Sequence, residues 1–216
     1  MKGVSEGVWK DGNRLYTKNA RIGKKVYDEK LVKENGVEFR EWNPSRSKLG
    51  AAIMNSMRNI SFEKDSRILY LGASTGTTVS HVSDICDDGL IYAIEFSERV
   101  FRSLTDLCEQ RKNIAPLLED ARKPENYSWI DECGVVFCDI AQPDETQIAI
   151  RNAEMFLKSE GILMIAIKSQ SIDVTKKPEE VYEEETQKLV AAGYEVLEII
   201  DLEPYEEKHA MIVARK

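Results

Sequence analysis

Arg67-Ile-Leu-Tyr-Leu-Gly-Ala-Ser-Thr-Gly-Thr-Thr-Val-Ser-His81, with Leu90-Ile-Tyr-Ala-Ile-Glu-Phe96 soon after it, reads as strand, glycine turn, helix and strand. The first apolar run ends at Gly72, and Gly76 lies in the turn that opens the helix. The second run closes on a carboxylate, Glu95. Glycines let the backbone approach a ligand, and an acid at the next strand end can accept hydrogen bonds from ribose hydroxyls. Together they predict a nucleotide-cofactor site in an α/β sheet. The loop is Gly-x-x-x-Gly and lacks the G-x-G-x-x-G that presses a pyrophosphate onto a helix N-terminus. S-adenosyl-L-methionine carries adenosine without a pyrophosphate, so this looser turn suits it better than a dinucleotide.

Outward from this stretch the chain alternates. Apolar runs at Ile68–Leu71, Leu90–Ile94, Ile114–Leu118, Val135–Cys138 and Ile162–Ile167 read as strands. Helical patterns lie around 78–86, 98–111 and 144–158, and Val100, Leu104 and Leu107 show the 3.6-residue period. Short connections between apolar strands and helices predict a doubly wound, mostly parallel sheet. After a last helix near 178–192, Tyr194–Leu202 and Ala210–Ala214 follow with no helix between them, and so predict an antiparallel hairpin. A Rossmann-like, seven-stranded sheet ending in such a hairpin is the architecture of class I S-adenosylmethionine-dependent methyltransferases.

The front of the chain is different. Asp11-Gly12 sits between Val8-Trp9 and Leu15-Tyr16, and Asn35-Gly36 between Lys30–Lys33 and Val37–Arg40; both predict β-hairpins. Leu49, Ile53, Met57 and Ile60 then recur at helical spacing, with Ser45 as the expected N-cap. This gives a small β-rich unit over 1–55 and a methyltransferase domain over 56–216.

With 216 residues, 42% of them apolar, the chain can bury a full core. No apolar run approaches the roughly 18 residues of a membrane span, and Met1-Lys-Gly-Val-Ser-Glu-Gly7 carries no apolar signal segment. A cytoplasmic protein is expected. Cys86, Cys108, Cys133 and Cys138 form no C-x-x-C pair, so reduced thiols and no metal site are expected. Net charge is −8, but residues 1–58 hold 13 Lys and Arg against 7 Asp and Glu. One reading is RNA approaching a basic front while partner proteins supply the remaining affinity. The Glu183–Glu185 run reads as a solvated helix face.

Two further residues sit where open α/β sheets bind ligands, at strand C-termini: Asp139 after Val135–Cys138, and Lys168 after Ile162–Ile167. Adjacent strand ends would place them side by side. A lysine there is often only solvated and an aspartate often only a cap, but the two together with the cofactor loop point to a site. Residue chemistry alone leaves Lys48 open as a surface lysine and His209 open as a structural hairpin histidine. His81 reads as structural.

The motifs Trp42-Asn-Pro-x-Arg-Ser-Lys-Leu49, Leu69-Tyr-Leu-Gly-Ala-Ser-x-Gly-Thr-Thr78, Ser80-His81, Tyr92-Ala-Ile-Glu95, Glu119-Asp-Ala-Arg122, Cys138-Asp-Ile-Ala-Gln-Pro143 and Lys208-His-Ala210 occur in this order over essentially the whole chain. The chain resembles the archaeal fibrillarins, RNA 2′-O-methyltransferases of box C/D guide particles. It lacks the Gly/Arg-rich arm of eukaryotic members, and Gly50 stands where alanine is usual, which should loosen that helix turn slightly. The resemblance implies methylation of ribose in rRNA and tRNA, chosen by a box C/D guide RNA, with S-adenosyl-L-methionine as cofactor. The implied partners are a coiled-coil scaffold protein and a kink-turn-binding, ribosomal-like protein. It further implies a catalytic group of Lys48, Asp139, Lys168 and His209. Gly72, Ala73, Gly76, Thr77 and Thr78 would surround the methionine portion of the cofactor. Glu95 would bind its ribose, and Phe96, Asp120 and Ala121 its adenine. Asp139, Ile140, Ala141 and Gln142 would complete the pocket near the sulfonium. A stand-alone methyltransferase on another RNA or a small molecule, and a non-catalytic structural subunit, are the competing readings.

Overall fold

Tight turns organise the first forty residues. In the computed structural model, which describes residues 1–216, five strands form an antiparallel sheet in the order β1-β2-β3-β5-β4. They are β1 (Lys2–Ser5), β2 (Val8–Asp11), β3 (Arg14–Lys18), β4 (Leu31–Glu34) and β5 (Val37–Trp42). Asn35 and Gly36 take φ of 50° and 81° between the paired Glu34 and Val37, the type I′ geometry that dipeptide favours. In the other expected hairpin Asp11 pairs with Arg14, so the turn centres on Gly12-Asn13, one residue later than expected.

Helix α1 (Lys48–Met54) is capped by Ser47, whose Oγ accepts the Gly50 N–H at 3.1 Å. The expected cap, Ser45, instead lies in a short 3-10 turn, Pro44–Arg46. The helix also stops before Met57. Ser56 turns left-handed at φ 72°, with Met57 N–H bonding to Ala52 C=O and Ser56 N–H to Ile53 C=O. This Schellman closure folds the buried Met57 back onto the core, which is why its spacing imitates another helical turn. At Gly50 a Cβ would come within 3.0 Å of Trp42 Nε1, so the missing methyl lets the indole pack against the helix.

The second sheet comprises β6 (Arg67–Leu71), β7 (Leu90–Glu95), β8 (Ile114–Leu118), β9 (Cys133–Cys138), β10 (Leu157–Lys168), β11 (Glu195–Asp201) and β12 (His209–Arg215). Its order is β11-β12-β10-β9-β6-β7-β8. Strands β6 to β10 run parallel, and β12 lies antiparallel between β10 and β11. The intervening helices are α2 (Thr77–Ile85), α3 (Glu98–Gln110), α4 (Glu145–Phe156), the short α5 (Ser169–Ile172) and α6 (Pro178–Ala191). This is the expected Rossmann-like methyltransferase sheet, preceded by an antiparallel one.

Side-chain alternation splits the core into two layers. Ile68, Tyr70, Val135, Phe137, Met164, Ala166, Met211 and Val213 face one side, where α1, α2, α3 and the N-terminal strands also contribute. Leu69, Leu71, Val136, Cys138, Leu163, Ile165, Ala210 and Ile212 face the other, under α4 and α6. Val8, Leu15 and Trp42 join the first layer, so both sheets share one apolar core.

A buried polar network fastens the front sheet to α2. Arg40 bonds Glu29 at 2.8 Å, Asp84 at 2.7 Å and Ser80 Oγ at 2.9 Å, while Arg111 bonds Asp84 at 2.7 Å. His81 is fully buried between Thr17 Oγ1 (2.8 Å) and Tyr27 Oη (2.6 Å), with the Trp42 ring stacked 4.8 Å away. Burial, with Arg40 and Arg111 nearby, holds its pKa well below the usual histidine value. His81 is structural, as the sequence suggested. The Glu183–Glu185 run departs from its reading as a solvated face: Glu183 and Glu184 are exposed, but Glu185 turns into the core and bonds Lys188 at 2.6 Å.

Candidate active site

Parity along the strands places the four candidate catalytic residues. Phe137, Ala166 and Met211 face the layer under α1, so Asp139, Lys168 and His209, each two residues away, share that side. Lys168 and His209 are register partners in β10 and β12. Lys48, the first residue of α1, reaches in from above, and its Nζ donates to Asp139 Oδ1 at 2.7 Å.

That pairing differs from the sequence reading, which put Asp139 beside Lys168. Register explains the difference. Cys138 pairs with Ile165, so Asp139 lies level with Ala166 and Lys168 projects two residues beyond. Lys168 makes no ion pair; its backbone N–H donates to Glu145 Oε1 at 3.2 Å. Burial opposes the charge on Lys48, but Asp139 outweighs it, so the lysine pKa lies above its usual value. His209 is lowered, chiefly by burial, with Lys48 and Lys168 pushing the same way. Its Nδ1 donates to the Glu207 carbonyl at 2.7 Å, which leaves Nε2 of the neutral ring with a free lone pair.

Beside this cluster a solvent-open cleft follows the strand C-termini. Gly72, Glu95, Phe96, Asp120, Ala121, Asp139, Ile140, Ala141 and Gln142 all line it. At Gly72 (φ 83°) a Cβ would sit 2.3 Å from the Asp139 carbonyl oxygen, so only glycine brings β6 and β9 this close. Glu95 accepts the Ser74 N–H at 2.9 Å and the Ser97 N–H at 2.8 Å, which fixes its carboxylate at the cleft. Phe96 is 67% exposed and free to cover a ligand. Asp120 is clamped by the Arg122 guanidinium at 2.8 and 3.0 Å, which holds its pKa below the usual value.

Four candidates do not line this cleft: Ala73, Gly76, Thr77 and Thr78. Gly76 adopts φ 86° against Leu104 and Leu107, where a side chain would clash. Thr78 Oγ1 donates to Ser47 Oγ at 3.0 Å, tying α2 to the cap that orients Lys48. Conversely, Ser74, Ile94, Glu119, Arg122 and Ile148 line the cleft without having been singled out as contacts. Glu119 and Arg122 stood in the quoted Glu119–Arg122 motif; nothing marked Ile148.

Glu145 carried no sequence signal. It opens α4, where an acid merely complements the helix dipole. Yet it is fully buried beneath Lys168, its Oε2 has no partner, and burial pushes its pKa up to about 8.

The cleft fits S-adenosylmethionine: an acid for ribose, an exposed ring for adenine and a glycine that opens the floor all converge. No three His, Cys, Asp or Glu side chains gather as a metal site, and no helix is long and apolar enough to cross a membrane.

Comparison with known proteins agrees with this geometry. The family model described as Fibrillarin matches residues 1–216. A fibrillarin-like rRNA/tRNA 2′-O-methyltransferase of Methanothermobacter thermautotrophicus is 47% identical, over 100% of this chain and 96% of the relative. The Aeropyrum pernix fibrillarin solved with natively bound S-adenosyl-L-methionine superposes with a TM-score of 0.87 at 44% identity, over 93% of this chain and 88% of that one. The chain from a fibrillarin/Nop5p complex gives a TM-score of 0.91 at 40% identity, over 99% of both chains.

Proposed function

The chain belongs to the fibrillarin family, and from that premise we infer that it is an RNA 2′-O-ribose methyltransferase using S-adenosyl-L-methionine. It acts on rRNA and tRNA, with the target chosen by a box C/D guide RNA in a ribonucleoprotein particle. One observation carries the reading. Asp139 both lines the cofactor cleft and accepts from Lys48, so cofactor and polar cluster meet at a single residue.

When bound, S-adenosylmethionine supplies a methyl group already activated on a sulfonium. Glu95 binds the ribose hydroxyls, Phe96 covers the adenine, and Asp120 and Ala121 meet the adenine edge. Asp139 to Gln142 close the pocket near the sulfonium, and Ala73, Gly76, Thr77 and Thr78 shape the loop around the methionine portion. Lys48, kept charged by Asp139, orients that carboxylate and is unsuited to remove a proton. Lys168, free of carboxylate partners, directs the attacking 2′-hydroxyl. His209, neutral with Nε2 bare, takes the hydroxyl proton.

The partners are the box C/D RNA, a scaffold protein of the kind represented by Nop5p, and a kink-turn-binding protein reached through the complex. With a net charge of −8 the chain alone methylates RNA poorly. The named relative is archaeal and archaea have no nucleus, which supports a cytoplasmic particle. Reconstitution with the guide RNA and both proteins should transfer labelled methyl groups to the guided ribose, and an unlabelled target would overturn the reading. Because burial lowers the His209 pKa, turnover should be level at neutral pH and above and fall only as His209 gains its proton, on the acid side of the usual histidine range. His209→Ala should lower the rate and abolish that acid limb.

A further inference from the structure

We propose that a basic groove beside the cofactor loop holds the phosphodiester backbone of the RNA strand flanking the methylated ribose. The inference rests on the RNA substrate argued above and adds where that RNA lies. The groove runs between the loop after β3 and helix α3, with Thr75 and Thr77 of the cofactor loop on its inner wall. Arg21, Lys24, Lys25 and Arg46 line it, and all four are exposed.

None of these four cations has a carboxylate within salt-bridge distance, unlike Arg111 deeper in the same lining, which bonds Asp84 at 2.7 Å. Two of them are nonetheless held in place. Arg21 Nε donates to the Gln110 carbonyl, and the Arg46 guanidinium lies 4.9 Å from the centroid of the Tyr27 ring. Both contacts fix a side chain without neutralising it. Asp28 and Asp106 are the acids in the lining, so a positive surplus persists in a chain whose net charge is −8.

Position then selects the ligand. Arg46 ends the short turn that leads into α1, two residues before Lys48. Thr75 lies in the turn that starts at Gly72, and Thr77 opens α2 directly after it. The groove therefore begins where the polar cluster ends. A strand presenting its ribose to Lys168 and His209 would carry its next phosphates past Arg46 toward Lys24 and Lys25. Open to solvent and lined by cations from three separate segments, the loop after β3, the turn before α1 and the end of α3, the groove suits consecutive phosphates better than one small anion.

The test compares the double variant Lys24→Gln/Lys25→Gln with Lys64→Gln/Lys158→Gln, which removes equal charge at the N-terminal ends of β6 and β10. In the reconstituted particle the target RNA needed for a half-maximal single-turnover rate should rise roughly tenfold for the groove variant, and the salt slope should fall by about 1–2. The rate at saturating RNA and cofactor affinity by calorimetry should be unchanged. Arg46→Gln should shift half-saturation in the same direction. If the wild-type particle transfers methyl groups normally and the groove variant matches the control, the groove assignment is wrong while the methyltransferase reading stands. Loss of particle assembly by the groove variant on gel filtration would assign the surface to a protein and also overturn it. A wild-type particle that transfers no methyl group would remove both.

Discussion

Asp84 and Asp139 are each bonded by a basic side chain at 2.7 Å, and each has a histidine within its cluster. Asp84 sits between Arg40 and Arg111, with Thr17 Oγ1 and the Ala20 N–H donating as well, and the adjoining His81 is bonded through both ring nitrogens. Asp139 has one cation, Lys48, both side chains remain partly exposed, and the neighbouring Lys168 and His209 keep unfilled valences. The same residue types build a fastener in one place and, in the other, the open cluster proposed above as the reactive centre. The difference lies in saturation: a network whose donors and acceptors are all spent can only hold, whereas one with free groups can receive a substrate.

The contrast breaks most visibly at Arg40. Arg40→Ala leaves Glu29 and Asp84 buried without their shared cation, and the expected loss is about 3–5 kcal/mol of stability. Urea unfolding measures it, and a loss under about 1 kcal/mol would show that the network is not a fastener.

Lys168→Ala is the mirror experiment. Single-turnover methylation should fall about 10²- to 10³-fold, with the unfolding midpoint and cofactor affinity nearly unchanged. Near-normal turnover would make Lys168 a bystander at a strand end. Asp139→Ala should lower both turnover and cofactor affinity, since it belongs to both neighbourhoods.

At Glu95 the effect should be confined to cofactor affinity. Glu95→Ala is expected to weaken S-adenosylmethionine binding by roughly 1.5–3 kcal/mol, as read by calorimetry on the folded variant. Unchanged affinity would remove Glu95 from the ribose site.

Glu145 sharpens the comparison from a third side, because it is buried yet only half satisfied. Its folded pKa of about 8 is raised, so the stability it contributes is complete below its unfolded pKa and is lost as pH rises toward 8. Glu145→Gln keeps an acceptor for the Lys168 N–H and cannot ionise. It should gain roughly 1–2 kcal/mol on the parent between pH 6 and pH 8 in denaturant titrations. Parallel stability curves would mean that the carboxyl is not held neutral.

Much of this was legible in sequence because the signals are local. Gly72, Glu95, Asp139 and Lys168 each end a strand, and strand ends follow from apolar runs. Asn35-Gly36 fixes its hairpin through φ alone. What could not be read depends on register and on the third dimension. Asp139 pairs with Lys48 because β9 stops short of Lys168, and no spacing records that. Glu185 looked solvated because its neighbours are, yet it occupies the inward position of α6. Ser47 displaced Ser45 as the cap because Pro44 starts its own 3-10 turn. Met57 kept helical spacing through a chain reversal that periodicity cannot distinguish from a further turn.

The position of β12 has a consequence for the order of biosynthesis. It is translated after both strands that flank it, and it carries His209 into register with Lys168. A growing chain therefore holds an open slot between β10 and β11, with a row of unpaired backbone groups on each side, until residues 209–215 leave the ribosome. Until then Lys168 has no opposite number. A chain cut short before residue 209 would keep Gly72 and Glu95 but lack both the strand that pairs with Lys168 and the proposed base, His209.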